Sequence, residues 1–146
     1  MKRIRQKNGL LLLLFLSAFS FHSFSQSVTG IWRGYFISGD GYQYKLEFQV
    51  IQNTDHAVGG FSYSWQDDIR FYGKAKMTGN YISTSQNFRI REIKTVEVKS
   101  DFGLTCIMNY NLKYSRSGKE EFLEGTFLGK TEVRDGPNPY EWGQCG

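Results

Sequence analysis

Histidine, cysteine, proline and the strongest helix formers are all scarce in this 146-residue chain. It contains two residues each of histidine, cysteine and proline, and Ala57 and Ala75 are the two alanines after residue 26. Only one histidine, His56, lies outside the first 25 residues, which disfavours a histidine-based zinc site or Ser-His-Asp catalysis. The sequence has no nucleophile elbow, P-loop or dinucleotide fingerprint. It therefore predicts no catalytic residues, no metal ligands and no cofactor.

Net charge is also missing from most of the chain. Lys and Arg number 18 against 14 Asp and Glu, a formal charge of +4, but four of the bases and none of the acids precede residue 26. The remainder therefore carries 14 charges of each sign. A neutral body does not favour a phosphate backbone as partner, so we predict no nucleic-acid binding. Its length fits one domain with one core.

The basic residues belong to a segment, 1–25, that has the pattern of a secretory signal peptide. A cationic start is followed by an apolar run over 10–16, shorter than the roughly 20 residues of a membrane helix. Ser23 and Ser25 provide the small residues expected before cleavage at Gln26. We expect an exported protein in the periplasm, at the cell surface or outside the cell; an uncleaved N-terminal anchor is the alternative. No later stretch is apolar enough to predict a transmembrane helix.

Export affects the oxidation state expected of the two cysteines. In an oxidising compartment Cys106 and Cys145 are expected to form a disulfide, with two free thiols as the alternative. The bridge would pin a tail that we expect to be irregular from about residue 130, because it contains Gly136-Pro137-Asn138-Pro139. The sequence stops one residue after Cys145, which suggests a missing closing strand.

Strand-forming residues are plentiful where helix formers are few. Residues 42–50 alternate apolar and polar, which places Tyr42, Tyr44, Leu46, Phe48 and Val50 on one face. Residues 69–77 and 106–114 alternate in the same way. The alternation that begins at residue 88 breaks at Glu92-Ile93, and this break predicts a β-bulge.

Turn signals between these runs predict an all-β fold of eight strands with short antiparallel connections. Such a meander closes, or nearly closes, into a barrel and so removes exposed sheet edges. An open sandwich is the alternative. The expected strands are approximately 28–38, 42–52, 58–65, 69–78, 80–86, 88–98, 104–115 and 120–129.

The first of these strands opens with Thr29-Gly30-Ile31-Trp32, a Gly-x-Trp motif followed by a meander. This opening resembles the calycin superfamily, which includes lipocalins and avidins, and its residue sequence is most similar to that of avidins. The small-residue segment 57–63 is similar to the third strand of such barrels. The resemblance implies that Gly30 and Trp32 are structural residues at the closed end of a barrel. It also implies an interior that binds a small, mostly apolar ligand.

Aromatic residues are the most suggestive feature, with 20 Phe, Tyr and Trp after residue 26. The inward faces would present tyrosine hydroxyls and rings to an amphipathic pocket for a ring-bearing ligand or a sugar. A core filled by these side chains is the alternative. The candidate ligand-lining residues are Tyr42, Tyr44, Phe48, Tyr110 and Tyr114.

Charged side chains are interpreted mainly as solvated. Carboxylates adjacent in sequence point to opposite faces of a strand, so neither acidic pair predicts an acid–base dyad. A weak calcium site in the loops and a basic strip facing an anionic glycan or lipid head group remain alternatives. The acidic pairs are Asp67-Asp68 and Glu120-Glu121. The calcium candidates are Asp40 and Asp55, and the basic strip consists of Arg89, Arg91 and Lys94.

The sequence leaves three functional hypotheses open. We expect an exported, non-enzymatic β-barrel that binds a small or amphipathic ligand, a glycan among them. The alternative is an envelope or surface module that binds another protein. An enzyme built on a barrel would need two titratable groups converging inside it, and the inward faces identified above carry almost no charge.

Overall fold

Alternating apolar and polar side chains build one antiparallel sheet in the computed structural model, which describes residues 26–67, 71–100, 105–133 and 135–145. Seven strands follow one another in the order of the sequence, and each pairs with the next. The prediction of an all-β antiparallel meander is confirmed. The strands are β1 (Gly30–Ile37), β2 (Gln43–Gln52), β3 (Ala57–Trp65), β4 (Tyr72–Ile82), β5 (Asn87–Lys99), β6 (Cys106–Ser117) and β7 (Glu120–Thr131).

The sheet curls into an open half-barrel, and the prediction of a closed or nearly closed barrel is wrong. The tail supplies a physical reason, because it occupies part of the β7 edge that β1 would have to reach. The N–H of Gly143 donates to the carbonyl of Gly129 at 2.7 Å, and Cys145 forms a β-bridge with the same glycine. A single curled sheet also replaces the alternative of a sandwich, since a sandwich needs two packed sheets.

The strand count differs from the prediction because Gly79-Asn80 is not a turn. The expected strands 69–78 and 80–86 form the single strand β4, and Gly79 pairs with Ile90 in its interior. A Cβ atom at Gly79 would lie 2.0 Å from the carbonyl oxygen of Arg89. Glycine here permits close approach of two backbones, which is its other common role within strands.

The β-bulge predicted at Glu92-Ile93 is confirmed. In the β4–β5 ladder Lys76 pairs with Lys94 and Met77 pairs with Glu92, so Ile93 has no partner across this ladder. A second register shift leaves Val96 unpaired in the same ladder. Before the first bulge the strand keeps its phase, and Glu92 therefore continues the inward face that begins at Phe88.

One end of the half-barrel, which we call the closed end, is filled by Val28, Trp32, Tyr81 and Tyr114. Three of these side chains are almost fully buried, and Trp32 packs against them with its ring edge-on to Tyr114 at 6.1 Å. The indole N–H of Trp32 donates to the carbonyl of Val28 at 3.0 Å. Trp32 is thus placed in the packing of this end, and Gly30 lies exposed at the start of β1 with φ of +151°.

The predicted disulfide between Cys106 and Cys145 is confirmed, with the two Cα atoms 6.1 Å apart. It joins the beginning of β6 to the tail after β7. The segment 1–25, with its expected signal peptide, lies outside the described residues, as do Asp68 and Ile69. Within the described ranges no helix has the length and apolar character needed to cross a membrane.

Candidate functional site

All seven strands contribute to a cavity of about 620 Å³ at the end of the half-barrel that carries the β1–β2 turn. We call it the inner cavity. Its volume falls in the range of about 300–1,000 Å³ that is usual for small-molecule sites. Representative lining residues, one from each strand in turn, are Phe36, Tyr44, Ser62, Ala75, Glu92, Met108 and Phe127.

Aromatic rings form one wall of the inner cavity. Phe36 of β1 and Tyr44 of β2 are cross-strand partners, and their rings stack at 5.1 Å with only 5° between the planes. Phe127 of β7 packs on Phe36 at 5.1 Å in an edge-to-face arrangement. A flat, stacked pair of this kind offers a broad apolar surface to a ring-bearing ligand.

A buried carboxylate, that of Glu92 on β5, also lines the inner cavity. Its side chain is only 5% exposed. Oε1 accepts a hydrogen bond from the hydroxyl of Ser62 at 2.5 Å and a longer one from the hydroxyl of Tyr110 at 3.5 Å. Oε2 accepts the backbone N–H of Met108 at 2.8 Å. Two other strands, β3 and β6, therefore hold this carboxylate in place.

Burial is the main influence on the pKa values of Glu92 and Tyr110. Removal from water raises the pKa of Glu92 to about 7, although its three hydrogen bonds favour the charged form. The nearby charge of Glu132 raises the same pKa further. Burial, and then the negative charge of Glu92, raise the pKa of Tyr110 well above its usual value. Near neutral pH the carboxyl group therefore exchanges its proton while the phenol keeps its own.

In the part of the chain that the structure describes, Glu92 forms no ion pair. The ion pairs within the described ranges are Arg33–Glu47 and Lys45–Asp67, both on the surface. Lys74 and Lys99 also line the inner cavity, and the ammonium group of Lys74 sits over the outward ring of Phe61, 4.8 Å from the centroid. Among the described residues, hydrogen bonds are the interactions that favour an ionised Glu92.

A second carboxylate, Glu132, occupies the gap that opens between β5 and β6. Direct pairing of these strands ends at Arg91 and Asn109. Beyond that point Glu132 accepts the backbone N–H of Thr95 at 3.0 Å and the hydroxyl of Thr105 at 3.1 Å. Both threonines line the inner cavity. Where β5 and β6 no longer pair, the carboxylates of Glu92 and Glu132 therefore accept backbone N–H groups in place of backbone carbonyls.

The structure divides the five candidate ligand-lining residues among three places. Tyr44 and Tyr42 line the inner cavity, although Tyr42 is 60% exposed. Phe48 and Tyr110 are buried and pack edge-to-face at 4.9 Å. Tyr114 belongs to the closed end, where its hydroxyl donates to Glu121 at 2.7 Å. The predicted face is therefore continuous in the sheet, but it does not surround a single pocket.

Phe48 and Tyr110 also border a cleft of about 400 Å³ between the two outer strands. We call this cleft the seam. Its walls are residues 32–36 of β1 and 121–127 of β7. The seam is where the half-barrel remains open.

The loop groups considered as ligands lie apart from the inner carboxylates. Nδ1 of His56 lies 3.2 Å from the carbonyl oxygen of Tyr81, and Asp67 forms its ion pair with Lys45 at 2.5 Å. Asp40 accepts a short hydrogen bond from the hydroxyl of Ser38. In the part of the chain that the structure describes, no three His, Cys, Asp or Glu side chains gather as a metal site requires.

The basic strip lies on the outer face of β5, where Arg89, Arg91 and Lys94 are exposed. The guanidinium of Arg91 lies 5.4 Å from the ring centroid of Trp142, and the ammonium of Lys130 lies 5.2 Å from it. The tail tryptophan therefore occupies part of this strip.

Glu92, the one strongly buried carboxylate among the described side chains, is not among the site residues predicted from the sequence. The inward faces predicted from the sequence belong to residues 42–50, 69–77 and 106–114 and carry almost no charge, and the inward face of β5 is not among them. The signal was present: residues 88, 90 and 92 share a phase, and a bulge placed after Glu92 leaves the glutamate on the inner face. The adjacent Arg91 and Lys94 made the segment look like a solvated strip.

The chain matches no protein-family model, curated protein or solved structure in comparisons with known proteins. The structure supports an antiparallel meander curled into a half-barrel, and no match assigns the chain to the calycins or to another family.

Proposed function

We propose that this protein is an exported, non-enzymatic domain that binds a small amphipathic ligand in the inner cavity. The observation that carries the proposal is the combination of stacked apolar rings, Phe36 and Tyr44, with a buried carboxylate in one cavity of about 620 Å³. Small-molecule sites usually combine apolar walls with a few placed polar groups. The Cys106–Cys145 disulfide supports export, because such bonds persist in oxidising compartments.

The polar groups of the cavity favour binding over catalysis. General acid–base chemistry usually needs two groups that exchange protons at the ligand. Glu92 lies near Tyr110, but the raised pKa of that phenol keeps it neutral at physiological pH. Glu132 already accepts hydrogen bonds from both Thr95 and Thr105. The arrangement therefore provides one exchangeable proton and several fixed hydrogen-bonding groups.

Fluorescence titration with N-phenyl-1-naphthylamine, a neutral ring-bearing probe, tests this function. We expect saturable enhancement of its emission by the wild-type protein. Ser64→Phe places a bulky ring at a lining position of the cavity and should weaken binding at least tenfold. Lys76→Phe introduces the same ring at an exposed position of β4 and should leave the affinity unchanged.

Thermal unfolding of both variants should show that each remains folded. Equal affinities of Ser64→Phe and Lys76→Phe for the probe would contradict binding in the inner cavity. Absence of saturable binding to the wild-type protein would contradict the proposed function as a whole.

A second candidate, an interaction module for another protein, is favoured by the outer face of β1. Ile31, Tyr35 and Ile37 lie on this outer strand and are 56%, 64% and 56% exposed. Within the described residues β1 pairs with β2 along one edge. An exposed apolar outer strand is the usual acceptor for an added strand from a partner protein.

Site-specific photocrosslinking distinguishes this candidate. Benzoylphenylalanine in place of Tyr35 should give a defined crosslinked product in the native envelope if β1 binds a protein. The same group in place of Val96, which is exposed on β5, is the control. Equal crosslinking at the two positions would contradict a docking role for β1.

A further inference from the structure

Among the described residues, no basic side chain forms an ion pair with the buried carboxylate of Glu92. It is held by Ser62, Tyr110 and the backbone of Met108, all of which act as hydrogen-bond donors to the ionised group. Burying an ionised carboxylate without a counter-charge is costly even when hydrogen bonds are made. The fold retains this arrangement beside a cavity large enough for a ligand.

The hydrogen bonds do not use the full capacity of the carboxylate. An ionised carboxylate has about four lone-pair sites for hydrogen bonds. Oε1 accepts from two hydroxyls, and Oε2 accepts from one backbone N–H. One acceptor site therefore remains on Oε2 of a side chain that lines the inner cavity.

We propose that the inner cavity binds ligands in which a protonated amine is joined to a ring, with the ammonium group against Glu92 and the ring against Phe36 and Tyr44. This inference rests on the proposed function and specifies the ligand class of the same site. The ammonium group donates a hydrogen bond to the open site on Oε2 and supplies the missing positive charge.

The aromatic wall reinforces this choice of ligand. A cation near the faces of aromatic rings gains further electrostatic stabilisation, most of all where water is excluded. The stacked rings of Phe36 and Tyr44 line the same cavity as Glu92. A neutral ligand would gain from the rings alone, and an anion would be repelled by the carboxylate.

The charged group that acts on the pKa of Glu92 is another acid, although Lys74 and Lys99 also line the inner cavity. Glu132, beyond the end of β7, adds negative charge near Glu92. On β6 the titratable neighbour is Tyr110, which remains neutral. The groups facing Glu92 from β3 and β4 are Ser62 and Met77, neither of which carries charge.

Two matched fluorescent probes test the inference on the intact exported protein. N-(1-naphthyl)ethylenediamine carries a primary ammonium group at neutral pH, and N-ethyl-1-naphthylamine has the same ring without it. At pH 8 the cationic probe should bind the wild-type protein about tenfold more tightly than the neutral one. Equal affinities for the two probes would overturn the amine preference while leaving the proposed small-ligand function standing.

Glu92→Gln is the matched variant, because the amide keeps the shape of the side chain and still accepts one hydrogen bond and donates others. It should bind both probes with nearly equal affinity, and its affinity for the neutral probe should match that of the wild type. Glu97→Gln, at an exposed position of the same strand, is the control and should keep the tenfold preference. A cationic preference that survives Glu92→Gln would overturn the assignment to Glu92.

Proton linkage provides a readout that needs no variant. At pH 6, below the Glu92 pKa of about 7, the cationic probe must bind with release of a proton. Its affinity should rise about tenfold between pH 6 and pH 8, while that of the neutral probe stays constant. Calorimetry in two buffers of different ionisation enthalpy measures the released proton directly, and no release at pH 6 would overturn the inference. Failure of both probes to bind at either pH would instead reject the proposed function itself.

Discussion

Oε2 of Glu92 accepts the backbone N–H of Met108 at 2.8 Å, just beyond the last direct pair of β5 and β6. A side chain here takes the place of a ladder carbonyl. The bulge at Ile93 turns the following backbone away from β6, and the carboxylate satisfies a donor that the separated strands leave open. The same contact places a negative charge inside the half-barrel.

This contact predicts an unusual dependence of stability on pH. The pKa of Glu92 is raised from 4.5 to about 7 in the folded protein, so the unfolded chain ionises first as the pH rises. The stabilising contribution of Glu92 is fully present below its unfolded pKa and is lost as the pH rises through about 7. The rise of the pKa from 4.5 to about 7 corresponds to a loss on the order of 3 kcal/mol in the free energy of unfolding.

Urea unfolding at a series of pH values between pH 4 and pH 8 measures this loss. Glu92→Gln cannot ionise, so its free energy of unfolding should fall less over this interval than that of the wild type. Glu97→Gln, on the exposed face of β5, should follow the wild type. Parallel curves for the wild type and Glu92→Gln would contradict the buried, proton-exchanging role of Glu92.

Sequence periodicity predicts most of the sheet well because the inner strands have one buried and one more exposed face, whereas β1 contains no buried residue. Alternation over residues 42–50 and 106–114 identifies β2 and β6 within a few residues, and the broken phase at Glu92-Ile93 locates the bulge. Gly79 misleads because a glycine that permits close backbone approach and one that forms a turn look alike in sequence. Only the distance to Arg89 separates these roles.

Closure and cavity position depend on contacts between residues far apart in sequence. The tail bridge between Gly129 and Cys145 occupies the edge of β7, and no local pattern reveals it. Tyr44 and Tyr114 both lie on inward faces and have the same residue type, yet one lines the inner cavity and the other fills the closed end. Side-chain packing, rather than position in the alternating pattern, decides which inward residues border a cavity.

Removal of the disulfide should destabilise the protein and release its tail. The Cys106–Cys145 bridge closes a loop of 39 residues. In the chain-entropy model it contributes about 4 kcal/mol. The double variant Cys106→Ser, Cys145→Ser should lose stability of this order in urea unfolding, and hydrogen exchange at the amide of Gly143 should accelerate because its bond to Gly129 weakens.

Reductant provides the control for the disulfide. Dithiothreitol should destabilise the wild type by a similar amount and have no effect on the double serine variant. Unchanged exchange at Gly143 after reduction would contradict the proposed pinning of the tail against β7.

The exported protein should begin at Gln26. The Ser23 and Ser25 pattern places cleavage there. In the folded domain the side chain of Gln26 accepts a hydrogen bond from the hydroxyl of Tyr81 at 2.9 Å, so the first described residue already contacts the packed domain. N-terminal sequencing and intact mass of the native protein measure the boundary. Recovery of peptides from residues 10–24 in the mature protein would contradict cleavage at this site.

Gly79→Ala should destabilise the half-barrel because its methyl group has no space between β4 and β5. The added Cβ would meet the backbone carbonyl of Arg89 at 2.0 Å, and backbone cannot move aside as a flexible side chain can. Overpacking of this kind costs roughly 1–3 kcal/mol or more.

Gly34→Ala is the matched control, since nothing lies within 4 Å of the corresponding position on β1. Its methyl group should leave stability unchanged or raise it by about 0.4–1 kcal/mol, because alanine restricts the unfolded chain. Urea unfolding of the two variants measures the contrast, and equal stabilities would show that Gly79 does not hold β4 and β5 together as one continuous ladder.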